Sequence, residues 1–257
     1  MNLRISIFQL ELHWENPEAN RKKLDRYLAD IAPESDAAVF PEMFTSGFTM
    51  KAGKLAERMD GKSIRWMREA AAKHKLAVAG SLIIEENGHY FNRFVWVSPD
   101  GRLSCYDKRH LFSLSEEPRV FTPGKKRQLI EYLGWKIFPQ VCYDLRFPVW
   151  ARNDKGYDIY LNVANWPVMR SAAWNTLLQA RAIENQAYAV GVNRFGTDGH
   201  EIYHAGDSSV IDPLGKVMLK ISDEENVKTV TLKKEELYEI RRKLPFLNDR
   251  DNFKLEY

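Results

Sequence analysis

The run Leu76-Ala-Val-Ala-Gly-Ser-Leu-Ile-Ile84 carries one polar side chain, Ser81, and reads as a long apolar strand. Glu85-Glu-Asn-Gly88 turns it, Tyr90 to Val97 returns, Asp100-Gly101 turns again, and Leu103 to Tyr106 makes a third strand that leads to Lys108. Ahead of it, Asn16-Pro-Glu-Ala-Asn20 signals a helix start, and Leu24, Tyr27, Leu28 and Ile31 recur at helical spacing until Pro33. Ala37 to Phe40 is a short buried strand that delivers Glu42, and Ser63 to Lys75 is a helix with Ile64, Met67, Ala70 and Ala71 inward. The second half repeats the alternation. Tyr157 to Val163 is a strand, and Ala172 to Gln186 is a helix with Leu177, Leu178, Ala182 and Ile183 inward. Ala187 to Asn193 is a strand, Ser208 to Leu219 a hairpin, Val227 to Leu232 a last strand, and Lys233 to Lys243 a charged helix. Strands that alternate with helices and also pair in hairpins specify an α/β layered fold with mixed sheets. The hairpins at Pro99-Asp-Gly101 and Asp212-Pro-Leu-Gly215 hint at two similar halves.

At 257 residues, with 44% hydrophobic side chains and no Gly/Ser/Pro linker, the chain reads as a single domain over 1–257. Its tail, 244–257, is polar and reads as a surface or interface arm. A net charge of +3, spread along the sequence, gives no reason to expect nucleic acid or membrane as a partner. Two cysteines argue against a disulfide scaffold and suit a reducing cytoplasm. The first ten residues alternate like a strand rather than forming a signal peptide, and no run approaches membrane-spanning length. A soluble cytoplasmic protein is expected.

Cys142 stands where Trp135-Lys-Ile-Phe138, a strand entry, gives way to Phe147-Pro-Val-Trp-Ala-Arg152, the first turns of a helix. At such a junction a thiol faces an opening, and backbone N–H groups at the helix start favour a thiolate and an oxyanion. The alternative is a small core residue. A cysteine hydrolase also needs a base and a cation. Glu42, between Pro41 and Met43-Phe44, is a desolvated carboxylate suited to the first role. Lys108, in Tyr106-Asp-Lys-Arg-His110, suits the second. Each, alone, reads equally well as a surface charge. Cys105 lies mid-strand and reads as core. Trp166 falls just past a strand end, where a ligand meets it.

His200-Glu-Ile-Tyr-His204 fits the zinc-protease pattern, which requires a helix. Gly199 and Gly206 bracket it, and in extended chain its histidines stand roughly 13 Å apart, at about 3.3 Å per residue. No metal site and no cofactor is expected.

Taken in order, Pro41-Glu-Met-Phe44, Lys108-Arg-His-Leu-Phe112 and Val141-Cys-Tyr-Asp-Leu-Arg-Phe-Pro148 resemble the nitrilase superfamily of carbon–nitrogen hydrolases. The resemblance covers nearly the whole chain and implies an α-β-β-α sandwich. It maps a Glu-Lys-Cys triad onto Glu42, Lys108 and Cys142, and a second glutamate onto Glu117 rather than its neighbour Glu116. Pro41 to Met50 and Asn162-Val-Ala-Asn-Trp-Pro167 with Ala180-Arg-Ala-Ile-Glu-Asn-Gln186 are similar to the omega-amidase branch. That branch implies hydrolysis of the terminal amide of 2-oxoglutaramate or 2-oxosuccinamate through a cysteine thioester. It also implies a homodimer built on the helix after the cysteine strand and on the Arg181–Gln186 segment. The implied oxyanion donors are Lys108 and the Tyr143 backbone N–H. Phe44, Tyr143 and Trp166 are expected in the pocket wall, and Arg146, Arg170 or Arg194 on the substrate carboxylate. Arg146 has a second reading as a structural partner of Asp144. Other outcomes within the superfamily are a carbamoyl amino acid amidohydrolase or a nitrilase. A non-catalytic binding protein on the same fold is the reading of different class.

Overall fold

Odd and even side chains part company along the central strands, and that parity builds the layers. In the computed structural model, which describes residues 1–256, the first-half strands are β1 (Asn2–Gln9), β2 (Ala37–Val39), β3 (Ala77–Glu86), β4 (His89–Val97) and β5 (Leu103–Asp107). The second half contributes β6 (Ile130–Tyr132), β7 (Trp135–Val141), β8 (Ile159–Ala164), β9 (Tyr188–Asn193), β10 (Phe195–Thr197), β11 (Tyr203–Ile211), β12 (Val217–Ser222) and β13 (Asn226–Lys233). Ile5, Ile7, Ala37, Val39, Ala77 and Ala79 of the first half meet Ile159, Leu161, Val163, Val190 and Val192 of the second in one core between the sheets. The alternate positions face outward. Ala38, Phe40 and Val78 pack under the helices Pro17–Ile31 and Lys62–His74 through Leu24, Leu28, Ile64 and Met67. Tyr160, Ala164 and Ala189 pack under the helix Ser171–Asn185 through Trp174, Leu178 and Ala182. The result is an α-β-β-α sandwich with two mixed sheets.

The two sheets share one plan. The first runs β13-β1-β2-β3-β4-β5 and the second β6-β7-β8-β9-β11-β12, with β10 added on β11. In each, an antiparallel edge strand is followed by three parallel strands and then two antiparallel ones. The matching hairpins of the sequence are therefore β4–β5 and β11–β12. Gly80 on β3 and Gly191 on β9 occupy corresponding places. A Cβ on Gly80 would stand 2.6 Å from the Phe44 ring, and one on Gly191 2.4 Å from Leu178. Each glycine admits a large side chain against its sheet.

Two sequence expectations, the helix after Cys142 and the inward side chain of Ile183, are corrected by local geometry. Beyond Cys142 the chain makes a 3-10 turn, Cys142–Arg146, and one helical turn, Pro148–Ala151, rather than a longer helix. Ile183 is 53% exposed, because Trp174, Leu178, Arg181, Ala182 and Asn185 form the inner face of its helix. The segment His200–His204 is a turn entering β11, so its histidines do not share the helical face the zinc motif needs. The tail lies along its own chain, with the Leu244 carbonyl accepting from Gln186 and Leu255 against the inter-sheet core. Tyr257 falls outside the described residues. No described helix is long and apolar enough to cross a membrane.

The C-terminal helix Lys234–Lys243 is fastened by one buried carboxylate. Asp158, at the head of β8, is inaccessible to solvent and pairs with Lys234 at 3.1 Å and Arg241 at 3.2 Å. It also accepts from the Lys136 backbone at 3.0 Å. Removing one member of a buried pair strands the others, so Asp158→Ala is expected to cost about 3 kcal/mol in urea unfolding.

Candidate active site

Parallel strands in one sheet release their chains at the same edge, and this chain uses that edge for its chemistry. Glu42 follows β2, Lys108 follows β5, Cys142 follows β7 and Asn165 follows β8. Glu117 opens the short helix Glu117–Val120. These side chains converge. Lys108 Nζ donates to Glu42 Oε1 at 3.0 Å and to both Glu117 oxygens at 2.9 Å, with all three side chains fully buried. Glu42 Oε2 accepts from the Asn165 backbone at 2.9 Å, and the Asn165 amide also donates to the Glu42 carbonyl at 2.7 Å. Glu117 Oε2 accepts the Phe112 N–H at 2.6 Å. Glu116 instead turns outward to Arg119, with 60% of its side chain exposed.

Burial works against the ammonium of Lys108, yet the charges of Glu117 and Glu42 outweigh it and hold the lysine protonated above its ordinary range. Glu117 is raised from the usual carboxylate range, first by burial and then by Glu42, with Lys108 opposing. The Cys142 thiol is pushed well above its ordinary value, first by burial and second by the Glu42 charge. At rest it is a thiol, not a thiolate. Cys105, half-buried mid-strand, is pushed up to about 12 by desolvation.

Cys142 has φ +46°, a left-handed conformation that a β-carbon disfavours. Asp144 holds it there. One carboxylate oxygen accepts the Val141 N–H at 3.0 Å and the Tyr106 hydroxyl at 2.8 Å, and the other accepts the His110 N–H at 2.9 Å. His110 also stacks on Phe147 at 3.7 Å between ring centres. The cysteine turn is thereby tied to the segment that follows Lys108.

A cavity of about 480 Å³ opens onto Cys142, Glu42 and Lys108. Tyr143, Trp166, Arg146 and Arg170 line it, as do Phe48, Phe112, His200 and His204, which the sequence reasoning did not place at the site. Arg146 lies over Trp166 at 4.9 Å and Arg170 over Phe112 at 5.2 Å. Among the described residues neither has a carboxylate in ion-pair range, and Asp144 is engaged elsewhere, so the Asp144–Arg146 pairing is not formed. Phe44 is not in the wall. Its ring turns to the helical side of the first sheet, against Phe40, Trp66 and the space at Gly80. Arg194 is likewise turned away, donating to the Phe195 and Thr197 carbonyls, and burial lowers it to about 10. Asn165 was within reach of sequence reasoning, since it ends a strand in the quoted Asn162–Pro167 stretch.

The carbon-nitrogen hydrolase family profile matches residues 4–242. The chain belongs to that family. It is 42% identical over 254 residues to omega-amidase YafV of Escherichia coli K12, covering 98% of each chain. Identity to the 2-oxoglutaramate amidase of Bacillus subtilis strain 168 is 32% over 255 residues, 97% of this chain and 98% of that protein. XC1258 from Xanthomonas campestris, a CN-hydrolase superfamily protein whose crystal structure carries an arsenic adduct in the active site, superposes with a TM-score of 0.97. That comparison covers 100% of both chains at 44% identity.

The electrostatics of this carbon–nitrogen hydrolase make a counterintuitive prediction. Since the Glu42 charge raises the thiol while Lys108 lowers it, Glu42→Gln is expected to let Cys142 ionise at lower pH even as turnover is lost. Ultraviolet absorbance of the thiolate across a pH titration reads the shift. An unchanged or raised thiol pKa would contradict the assignment of the charges.

Proposed function

We propose that this carbon–nitrogen hydrolase is an omega-amidase, hydrolysing the terminal amide of short 2-oxo dicarboxylic monoamides such as 2-oxoglutaramate. The observation that carries the reading is the pairing of a buried Glu–Lys–Glu cluster and the half-buried Cys142 with two arginines that, among the described residues, lack carboxylate partners in one cavity. A neutral nitrile gives such arginines nothing to bind; a substrate with a free carboxylate does. Relatives named as omega-amidase and 2-oxoglutaramate amidase support it.

In this scheme Glu42 takes the Cys142 proton as sulfur attacks the amide carbon, so the thiolate never accumulates. The oxyanion forms against Lys108 and the Tyr143 N–H, an amide that precedes the first internal bond of its 3-10 turn. Each such donor contributes roughly 3 kcal/mol in comparable acyl transfers. The tetrahedral species collapses with the proton from Glu42 going to nitrogen, releasing ammonia and leaving a thioester. Water then gives a proton to Glu42 and its oxygen to the acyl carbon, and the carbon–sulfur bond breaks as Glu42 returns that proton to sulfur, freeing the acid and restoring the thiol. Glu117 holds Lys108 throughout, with both its oxygens 2.9 Å from the ammonium nitrogen.

The same reading takes the whole chain as one domain, since β13 closes the sheet that β1 opens. It also takes the protein as a cytoplasmic homodimer. Val149 after the cysteine turn and Ile183 on the Arg181–Gln186 segment, each 53% exposed, offer apolar surface for the dimer contact.

Ammonia release from 2-oxoglutaramate tests the chemistry. Cys142→Ala is expected to abolish it, and wild-type rates in that variant would sink the scheme. Arg146→Ala and Arg170→Ala are expected to raise KM for 2-oxoglutaramate on the order of 10- to 100-fold. Their effect on a neutral amide of the same length should be small. A panel that favours a carbamoyl amino acid or a nitrile by kcat/KM would replace this reading with another branch of the superfamily.

A further inference from the structure

Asn92 is buried on β4 behind the cluster and lines no part of the cavity. Its amide nitrogen donates to Glu42 Oε1 at 2.8 Å and to Glu117 Oε1 at 3.3 Å. Lys108 Nζ donates to the same two oxygens. The four atoms close a ring in which two carboxylate oxygens alternate with two nitrogen donors. The orientation of the amide is fixed from behind. Ser81 Oγ accepts the Met43 N–H at 2.8 Å, so its own hydrogen goes to Asn92 Oδ1, also at 2.8 Å. Both Asn92 hydrogens are thereby committed to the glutamates.

Two carboxylates crowded around one ammonium in a dry site tend to take up a proton, because like charges at short range cannot both stay ionised cheaply. The charged and titratable groups around the ring are Glu42 after β2, Lys108 after β5, Glu117, and Cys142 after β7. Three of these are acids and only one is a base. Arg93, next to Asn92 on the strand, points to the other side and is spent on Asp107 and Glu86. We infer that Asn92 is a positioning residue that keeps Glu42 and Glu117 side by side as carboxylates by giving each of them one hydrogen. A neutral amide does this without a second cation, which would compete for the thiolate and hold it too firmly. The inference rests on the proposed roles of Glu42 as base and Glu117 as the holder of Lys108.

The test is the pH profile of kcat/KM for ammonia release. In Asn92→Leu the carboxylates lose a donor to their charged form, so their proton affinity rises. The acid limb is then expected to move up by about one pH unit, one charged-group hydrogen bond expressed as a pKa. At the pH optimum kcat should fall with KM little changed. Asn92→Asp, nearly isosteric, guards against misfolding: a protonated carboxyl gives one hydrogen where the amide gives two, and the acid limb should again move up. Ser81→Ala, which touches neither glutamate, should move it in the same direction by less. An acid limb that coincides with wild type in folded Asn92→Leu or Asn92→Asp, with activity reduced equally at every pH, overturns the inference and leaves Asn92 a packing residue. Glu42→Gln is run alongside. Full activity in that control overturns the role of Glu42 itself, and with it the reason for the ring.

Discussion

The interaction on which the site depends is the buried ammonium of Lys108 between two carboxylates. A lysine stripped of water is costly unless acids hold it, and here Glu117 and Glu42 more than offset the loss. The same arrangement leaves the cluster with an excess of negative charge, which adds to burial, the larger cause, in holding the proton on the Cys142 thiol. In the proposed scheme the thiol surrenders its proton only when a carbonyl is present to take the new charge toward Lys108, a coupling that restricts the chemistry to substrates seated in the cavity.

The fold supplies this cluster by repetition. Each sheet has the same order and the same three parallel strands, and packing the two through their inner faces brings corresponding strand ends into one neighbourhood. Glu42 leaves β2 and Asn165 leaves β8, and the two hydrogen-bond directly across the sandwich. Each half is incomplete alone: the first supplies both glutamates and the lysine, the second the thiol. A shift of one sheet against the other would separate Glu42 and Lys108 from Cys142.

What the sequence made legible follows from this plan. Apolar runs bounded by turns locate the strands, and chemically distinct residues just past their ends stand out, as Glu42, Lys108 and Cys142 do. Phe44 did not yield to that logic, because its direction depends on φ +46° at Met43 and on the space at Gly80, a tertiary fact. Arg194 looked like a free cation but is enclosed by backbone carbonyls of its own loop. Asn92 and Ser81 read as unremarkable strand positions. Their role appears only when β3 and β4 are paired and Glu117 folds over them, since no local pattern marks a hydrogen bond between residues so far apart in the chain.

Strain shows how tightly fold and chemistry are bound together. Cys142, the proposed nucleophile, and Met43, the residue after Glu42, both have φ +46°, a conformation that costs an L-residue about 1–2 kcal/mol. Each is held by buried bonds that do not touch the cavity. Asp144 restrains the cysteine turn, while Ser81 takes the Met43 N–H and the N–H groups of Ser46 and Gly47 cap the Met43 carbonyl. The left-handed kinks aim a sulfur and a carboxylate out of strands whose regular pleat would bury or expose them. The two restraining networks are joined to the lysine between them, Asp144 through Tyr106 and His110, and Ser81 through Asn92. The placement of Cys142 against Glu42 and Lys108 is therefore fixed from behind the site, by buried polar groups.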